Sequence, residues 1–287
     1  MNYILIIIQA AVQGLTEFLP VSSSGHLSVL QHIMGVGEES LTISIVLHLG
    51  TLVSVFIAFW PTVLGMLKEF FFTLGDVFTG KFSWSKMNGM RRMMFMVIIA
   101  TAVLLPAYPF KDYFTGVEGD GDIVFEGCAF ILTAIFLFLS DACAAGYKTD
   151  KNIKITDAVT VGLFQVVALF PGVSRSGSTI SSSLFCGLSR ETAVTFSFMM
   201  GIPAILGGGV MQIKEAVETG VVLNYTELLI GFAVSAIVGF WAIKLVKMLI
   251  KKEKMKIFGV YTVILGLACV TVGAIEHITG WKFIIVG

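Results

Sequence analysis

Stretches without charged residues divide the chain into segments long enough to cross a membrane. An apolar helix needs about 20 residues to span the hydrocarbon core of a bilayer, and six segments reach or approach that length. One contains two acidic residues near its ends, and another reaches full length if Lys244 and Lys247 extend their ammonium groups to the membrane surface. The predicted spans are 41–60, 93–110, 123–143, 192–213, 228–243 and 257–275.

Two further apolar regions, 1–37 and 158–189, are each interrupted at the centre by a polar, helix-breaking cluster. The first cluster reads Pro-Val-Ser-Ser-Ser-Gly-His over 20–26, and the second reads Pro-Gly-Val-Ser-Arg-Ser-Gly over 171–177. Irregular backbone at membrane depth persists only where it is buried in protein or lines a wet cavity. Each region is therefore predicted to form two half-helices that meet at a re-entrant turn.

The two clusters align with each other at an offset of 152 residues, which superposes 22–25 on 174–177 and Gln13 on Gln165. Each half then holds one hairpin followed by three spans, and an odd number of crossings turns the halves to opposite orientations. We expect a single membrane domain built as an inverted-topology repeat, with a site near the midplane where the repeats meet. The predicted repeats cover about 1–150 and about 151–287.

Basic residues are concentrated in the segments predicted to face one side of the membrane. Lys and Arg number 5, 3 and 6 in the segments 61–92, 144–157 and 244–256. The alternating segments carry only Lys111, Lys214 and Lys282. Since cytoplasmic loops hold the excess of Lys and Arg, both termini and the mouth of the first hairpin are expected on the outer face. The second hairpin is expected to open from the cytoplasm.

The composition agrees with an all-α integral membrane protein of six transmembrane helices and two re-entrant hairpins. Hydrophobic residues make up 56% of the chain, charged residues 13%, and the mean hydropathy is +0.91, whereas soluble domains carry about a quarter charged residues. Lys plus Arg and Asp plus Glu balance at 19 each, so nothing indicates a nucleic-acid partner. The four cysteines show no metal-ligand spacing.

Away from span ends and loops, two charged residues remain deep in apolar sequence, Glu17 and Arg175. Ionisable groups inside a membrane are costly and mark a function or an ion pair. Gln13 and Glu17 are four residues apart, so they share one helix face. A purely structural Glu17–Arg175 ion pair would leave the surrounding serines, glycines and His26 unexplained. We therefore interpret the two clusters as a functional site.

The first cluster has the composition of a catalytic centre. After Pro20 the second half-helix is expected to begin at Ser22 or Ser23, which places His26 one turn in, on the side of the serines. A hydroxyl, an imidazole and a carboxylate would then converge, as nucleophilic or acid–base catalysis requires. His48, inside the first span, is expected to bond to a neighbouring helix rather than to line the site.

The second cluster has a phosphate-binding composition. The guanidinium of Arg175 is a planar, permanently charged fork suited to phosphate oxygens, and N–H groups at a half-helix N-terminus add to an anion site. Small residues and hydroxyls of both clusters extend this surface. The candidate substrate-binding residues are Gln13, Ser22, Ser24, Gly25, Ser174, Ser176, Gly177 and Thr179.

Two segments, Gln-Gly-Leu-Thr-Glu-Phe-Leu-Pro-Val-Ser-Ser-Ser-Gly-His over 13–26 and Pro-Gly-Val-Ser-Arg-Ser-Gly-Ser-Thr-Ile over 171–180, resemble the signature motifs of bacterial undecaprenyl pyrophosphate phosphatases, the BacA/UppP family. The hydrophobic layout matches over the whole chain. The resemblance implies a multi-pass enzyme of the bacterial cell membrane. It would hydrolyse undecaprenyl pyrophosphate to undecaprenyl phosphate and inorganic phosphate, which recycles the lipid carrier for peptidoglycan synthesis and is associated with bacitracin resistance.

The same resemblance implies roles for individual residues. Gln13 and Glu17 occupy the (E/Q)xxxE positions, Ser23 and His26 those of the catalytic hydroxyl and histidine, and Arg175 that of the pyrophosphate-binding arginine. A divalent cation, Mg²⁺ or Ca²⁺, is implied as cofactor with Glu17 as its ligand, although Gln13 leaves one carboxylate fewer than in some members. The implied partners are the polyprenyl pyrophosphate and membrane lipids, and a homo-oligomer is left open.

Two alternatives compete with this interpretation. Inverted re-entrant repeats are typical of transporters, so a transporter or flippase of a lipid phosphate is the main rival, although it needs Arg175 more than it needs Ser23 and His26 together. The other lipid-phosphatase superfamily expects a histidine five residues after a Ser-Arg pair, which neither Ser-Arg pair of this chain has. The nucleophile, Ser23 or His26, stays open at this point.

Overall fold

A computed structural model describes residues 3–35, 41–110, 123–143, 146–219, 225–252 and 254–284. Within these ranges the regular elements are α-helices and two short 3₁₀ helices, Trp84–Lys86 and Leu105–Phe110, which confirms the all-α prediction. The α-helices are α1 Tyr3–Thr16, α2 Ser23–Met34, α3 Leu41–Ala58, α4 Trp60–Phe78, α5 Gly89–Ala102, α6 Val124–Asp141, α7 Ile155–Val167, α8 Arg175–Phe185, α9 Arg190–Thr219, α10 Tyr225–Lys251 and α11 Met255–Thr279.

Five of the predicted crossings are present as helical segments long and apolar enough to span a bilayer. Large apolar side chains on their outer surfaces, such as Trp241, Ile264 and Leu267, are exposed, as expected for faces in contact with lipid. The protein is therefore a multi-pass membrane protein. The five segments are Gly89–Ala107, Val124–Asp141, Arg190–Val210, Tyr225–Lys251 and Met255–Thr279.

The predicted first span, 41–60, is present as α3, but a further helix that the sequence analysis did not predict follows it at a sharp bend. Ile43–Ala58 and Trp60–Phe78 form a bent pair with an angle of 87° between them. Pro61 lies in the first turn of α4, where its missing N–H is tolerated, but its ring prevents the preceding helix from continuing through it. α4 exposes Phe71 and Phe72 and lies nearly perpendicular to α3, as an interfacial helix does.

The two predicted hairpins are present as pairs of short helices that pack against each other, α1 with α2 and α7 with α8. None of the four reaches the length of a span. α2 and α8 begin in the same way, because Ser22 and Ser174 each accept a hydrogen bond from the N–H of the glycine three residues on. An inverted-topology relation between the halves stays a prediction.

The mouths of the hairpins lie at opposite ends of α11. At the first mouth, His32 of α2 contacts Glu276 near the end of α11 at 3.0 Å. At the second mouth, Arg190 follows α8 and lies 4.0 Å from Asp141, whose carboxylate is 3.8 Å from Lys256 at the start of α11. Since α11 is long enough to cross a bilayer, the hairpins enter the protein from opposite sides.

The tips of the hairpins meet in the interior, and glycine permits the close approach. A Cβ atom on Gly25 would lie 2.7 Å from the Phe130 ring and 3.1 Å from the Gly172 Cα atom. Gly172 itself has a φ of 79°, in the region that favours glycine. The N–H of Gly172 donates to Ser24 Oγ at 3.2 Å. The two polar clusters of the sequence therefore form one continuous surface.

Candidate active site

Glu17 is the hub of this surface. It follows the last residue of α1 and is buried, with 6% of its surface exposed. Its Oε2 atom accepts hydrogen bonds from Ser23 Oγ at 2.8 Å and from Gln13 Nε2 at 2.9 Å. Its Oε1 atom accepts from Arg175 Nη2 at 2.8 Å. The two deep charges predicted from the sequence thus form an ion pair that also holds the first hydroxyl of α2.

An unusual backbone conformation at Ser22 sets the direction of Ser23. Ser22 is the one described non-glycine residue with a positive φ, 73°, a conformation that costs on the order of 1 kcal/mol or more. Its side chain caps α2 by accepting from Gly25 N at 3.3 Å, which offsets part of that cost. α2 begins at Ser23, one of the two starts that the sequence predicted, and the Ser23 hydroxyl faces back toward Glu17.

The second hairpin supplies Arg175 as the first residue of α8. Ser174 N donates to Thr133 Oγ1 at 3.1 Å, and Ser176 Oγ donates to Leu19 O at 3.1 Å. These bonds tie the second turn to α6 and to the first hairpin. The Nη1 atom of Arg175 is buried and has no hydrogen-bond partner in the described part of the chain. Arg175 also lines the cavity described next, and 19% of its side-chain surface is exposed, so the side chain is accessible to an anionic ligand.

A cavity of about 500 Å³ opens in front of these groups. Its lining is partly polar and partly apolar. The polar lining residues are Thr16, Glu17, Ser22, Ser23, Ser24, His48, Thr101, Gln165, Ser174, Arg175 and Ser176. The other lining residues are Leu104, Leu105, Ala107, Ala168, Leu169, Val173, Pro203, Ala204, Ile205, Gly207, Gly208 and Gly209. A ligand with a charged head and an apolar tail matches this lining, which combines polar and apolar residues.

Four of the candidate binding residues do not line the cavity. Gly25 lies at the contact between the hairpin tips, and Gly177 packs against Ser174 and Thr133. Thr179 exchanges a hydrogen bond of 2.6 Å with Ser197 of α9, so it links helices. Gln13 acts through its hydrogen bond to Glu17. These four residues therefore hold the residues of the site in place without lining the cavity.

His26 is not brought to the carboxylate, contrary to the expected convergence with Ser23. Its Nδ1 lies 2.6 Å from Ser22 O, and its Nε2 lies 2.7 Å from the Tyr261 hydroxyl. The ring stacks on Tyr261 with centroids 5.6 Å apart and meets the edge of Phe130. Contacts on both nitrogens turn the ring toward α11. A catalytic role for His26 stays a prediction.

His48, and not His26 as expected from the sequence, lies beside the Glu17 carboxylate. Its Nε2 is 3.7 Å from Glu17 Oε2, and it lines the cavity. Its Nδ1 lies 2.7 Å from the carbonyl of Ser44 in the same helix, so that nitrogen carries the proton donated to the carbonyl. The expected bond to a neighbouring helix is replaced by this bond within α3. In the sequence, the position of His48 at the site was indicated by nothing more than a single histidine inside a charge-free span.

The residues around Glu17 do not fit a divalent cation held by the protein. Among the described residues there is no group of three His, Cys, Asp or Glu side chains placed to hold a metal ion. Both oxygens of Glu17 already accept hydrogen bonds, one of them from the guanidinium of Arg175. Mg²⁺ and Ca²⁺ require several oxygen ligands, which substrate and water would have to supply. The implied cation stays a prediction.

Comparison with known proteins identifies the family of this chain. The family described as "Bacitracin resistance protein BacA" matches residues 6–268. A protein of Alkaliphilus metalliredigens named undecaprenyl-diphosphatase is 41% identical over 91% of this chain and 94% of its own. Proteins of the same name from Methanosphaera stadtmanae and Carboxydothermus hydrogenoformans are 35% and 37% identical, over 94% and 96% of this chain and 97% and 98% of theirs. With both motifs inside the matched region, the chain belongs to the bacitracin resistance protein BacA family.

Proposed function

We propose that this protein is an undecaprenyl-diphosphatase, which hydrolyses undecaprenyl pyrophosphate to undecaprenyl phosphate and inorganic phosphate. The observation that carries the proposal is the Ser23–Glu17–Arg175 group, which lines a cavity together with many apolar residues. The names of the relatives support the same activity. Hydrolysis would recycle the lipid carrier for peptidoglycan synthesis, and the family description connects it with bacitracin resistance.

Ser23 is proposed as the nucleophile and Glu17 as its base. The Ser23 hydroxyl donates to Glu17 Oε2 at 2.8 Å, so the carboxylate can accept the proton as the oxygen attacks. Oγ bonds to the terminal phosphorus while the bond to the bridging oxygen breaks, and undecaprenyl phosphate leaves with that electron pair. Water then attacks the phosphoserine, which releases inorganic phosphate and restores the hydroxyl.

Arg175 is proposed to stabilise the charge on the transferred phosphoryl group. Its Nη2 holds Glu17, while Nη1 has no partner in the described part of the chain. A guanidinium can bind the Glu17 carboxylate and the phosphoryl group at the same time, because its donors lie in a fixed fork. Stabilisation of the equatorial oxygens supplies most of the catalysis in phosphoryl transfer. The N-terminus of α8, where Arg175 lies, adds a favourable dipole.

Direct attack by His26 is the alternative chemistry. It requires a ring nitrogen with a lone pair that faces the substrate. Contacts with Ser22 O and the Tyr261 hydroxyl engage both nitrogens of His26, and His26 is absent from the cavity lining. These observations favour Ser23.

Release of phosphate by the detergent-purified protein separates the enzyme from the rival transporter. We expect inorganic phosphate to appear from undecaprenyl pyrophosphate, since catalysis needs no second compartment. The Glu17→Gln variant should lose the activity, because the amide cannot accept the Ser23 proton, whereas the control Glu69→Gln, altered outside the cavity lining, should keep it. No release in detergent, together with movement of lipid phosphate across vesicle membranes, would favour the transporter.

The mouth of the first hairpin is inferred to face the outside, on the basis of the Lys and Arg distribution. Lys282 lies beyond α11, on the side of that mouth, and Lys86 lies between α4 and α5; both are exposed. In a variant without the four native cysteines, Lys282→Cys should react with an impermeant thiol reagent in intact cells. Lys86→Cys should react only after permeabilisation. The reverse pattern would overturn the orientation.

A further inference from the structure

Gln165 is a buried polar side chain that the mechanism above does not use. It is 2% exposed, and neither its Nε2 nor its Oε1 has a hydrogen-bond partner within the described residues. The hydroxyl oxygen of Thr101 is likewise buried without a partner there. Buried polar groups of native proteins are almost always satisfied, and leaving them unsatisfied costs stability. Both residues line the cavity that contains Arg175.

The predicted alignment of the two halves shows a difference between Gln165 and Gln13. At the 152-residue offset the counterpart of Gln165 is Gln13, whose amide donates to Glu17 at 2.9 Å. The residue at the same offset from Glu17 is Leu169, so Gln165 has no carboxylate at the position that binds the Gln13 amide. The amide of Gln165 is thus left to interact with something in the cavity.

Gln165 and Thr101 are each followed closely in the chain by a leucine that also lines the cavity. Gln165 is on α7 and Thr101 is on α5, and these two helices pack against each other. Leu169 follows Gln165 by about one helical turn, and Leu104 follows Thr101, and both leucines line the cavity. A lipid pyrophosphate has the same order of parts. Its terminal phosphate is reactive, its second phosphate comes next, and its apolar tail follows.

We propose that Gln165 and Thr101 form a second polar subsite, which binds the lipid-attached phosphate, the one that is not transferred. The Gln165 amide and the Thr101 hydroxyl would donate hydrogen bonds to its oxygens, while Arg175 and Ser23 contact the terminal phosphate. Both donors are uncharged, so they orient this phosphate without holding the monophosphate product as tightly as a second guanidinium would. This inference rests on the proposed function.

The two products provide separate probes of the two subsites. Binding of undecaprenyl phosphate and of inorganic phosphate to the full-length protein in detergent is measured by thermal shift, together with inhibition constants during turnover. In Gln165→Leu and Thr101→Val, affinity for undecaprenyl phosphate should fall about tenfold or more, with a parallel rise in KM for the pyrophosphate. The inhibition constant for inorganic phosphate should stay within about twofold, because its donors are intact.

The melting temperature separates this role from a structural one. Gln165→Leu without ligand should melt at or above the wild-type temperature, because it removes two unsatisfied buried atoms. Thr262→Val is the control, since Thr262 is buried in α11 and bonds to its own helix at Phe258 O. It should leave both affinities unchanged. Thr101→Val tests the same subsite independently if Gln165→Leu does not fold.

Two results would overturn the inference: unchanged affinity for undecaprenyl phosphate in both variants, or an equal loss of affinity for inorganic phosphate. Its failure differs from failure of the proposed function, in which the wild type itself releases no phosphate. The thermal shift with undecaprenyl phosphate needs no turnover, so it tests the subsite in either case.

Discussion

Replacing Ser23 by alanine is expected to reduce hydrolysis of undecaprenyl pyrophosphate to near background, a loss of about 10⁴-fold or more. The variant keeps Glu17 and Arg175 but has no oxygen to attack the terminal phosphorus. Because Ser23 is only partly buried and its hydroxyl bonds only to Glu17 among the described residues, the fold should be little affected. Initial rates of phosphate release at saturating lipid measure the effect on kcat.

The neighbouring serines provide matched controls for Ser23→Ala. Ser22→Ala removes the cap of α2 at Gly25 N, which should cost about 1 kcal/mol of stability but leave a substantial rate. Ser24→Ala removes the acceptor for Gly172 N at the contact between the tips and should also keep a substantial rate. If Ser22→Ala or Ser24→Ala fell to background while Ser23→Ala stayed active, the assignment of the nucleophile would be wrong.

Replacing Arg175 by lysine is expected to lower kcat by about 10³-fold. Arg175 is proposed to hold Glu17 through Nη2 and the phosphoryl group through Nη1, and a single ammonium cannot reproduce this fork. Lysine keeps the charge, so the variant separates geometry from charge.

Arg91→Lys is the control for the same substitution outside the site. Arg91 binds Glu69 at 2.7 Å and Asp76 at 2.6 Å and does not line the cavity. The activity of the Arg91→Lys variant should stay near that of the wild type. An Arg175→Lys enzyme with more than about a third of the wild-type kcat would contradict a bidentate role for the arginine.

The sequence predicted features that depend on local chemistry. The length of the charge-free segments identified five of the spans, because each spanning helix must itself be long and apolar enough to cross the hydrocarbon core. The start of α2 followed from the break at Pro20, and the importance of Glu17 and Arg175 followed from the cost of charges in apolar surroundings. The bend before α4 was missed, although Pro61 gave a local signal for it.

Features set by distant helices could not be predicted. The ring of His26 is turned by Tyr261, 235 residues away in the chain, and no local pattern indicates that contact. His48 reaches Glu17 only because α1 and α3 pack together. The missing partner of Gln165 likewise became visible only when the cavity was in place.

Ser23 is expected to become phosphorylated during turnover. Undecaprenyl pyrophosphate labelled in its terminal phosphate is mixed with the purified enzyme, the reaction is quenched in acid, and the labelled peptide is identified by mass spectrometry. We expect an acid-stable phosphoserine at Ser23 that is absent from Ser23→Ala. An acid-labile, base-stable phosphohistidine that persists in Ser23→Ala would contradict it and assign the nucleophile to a histidine, His26 or His48.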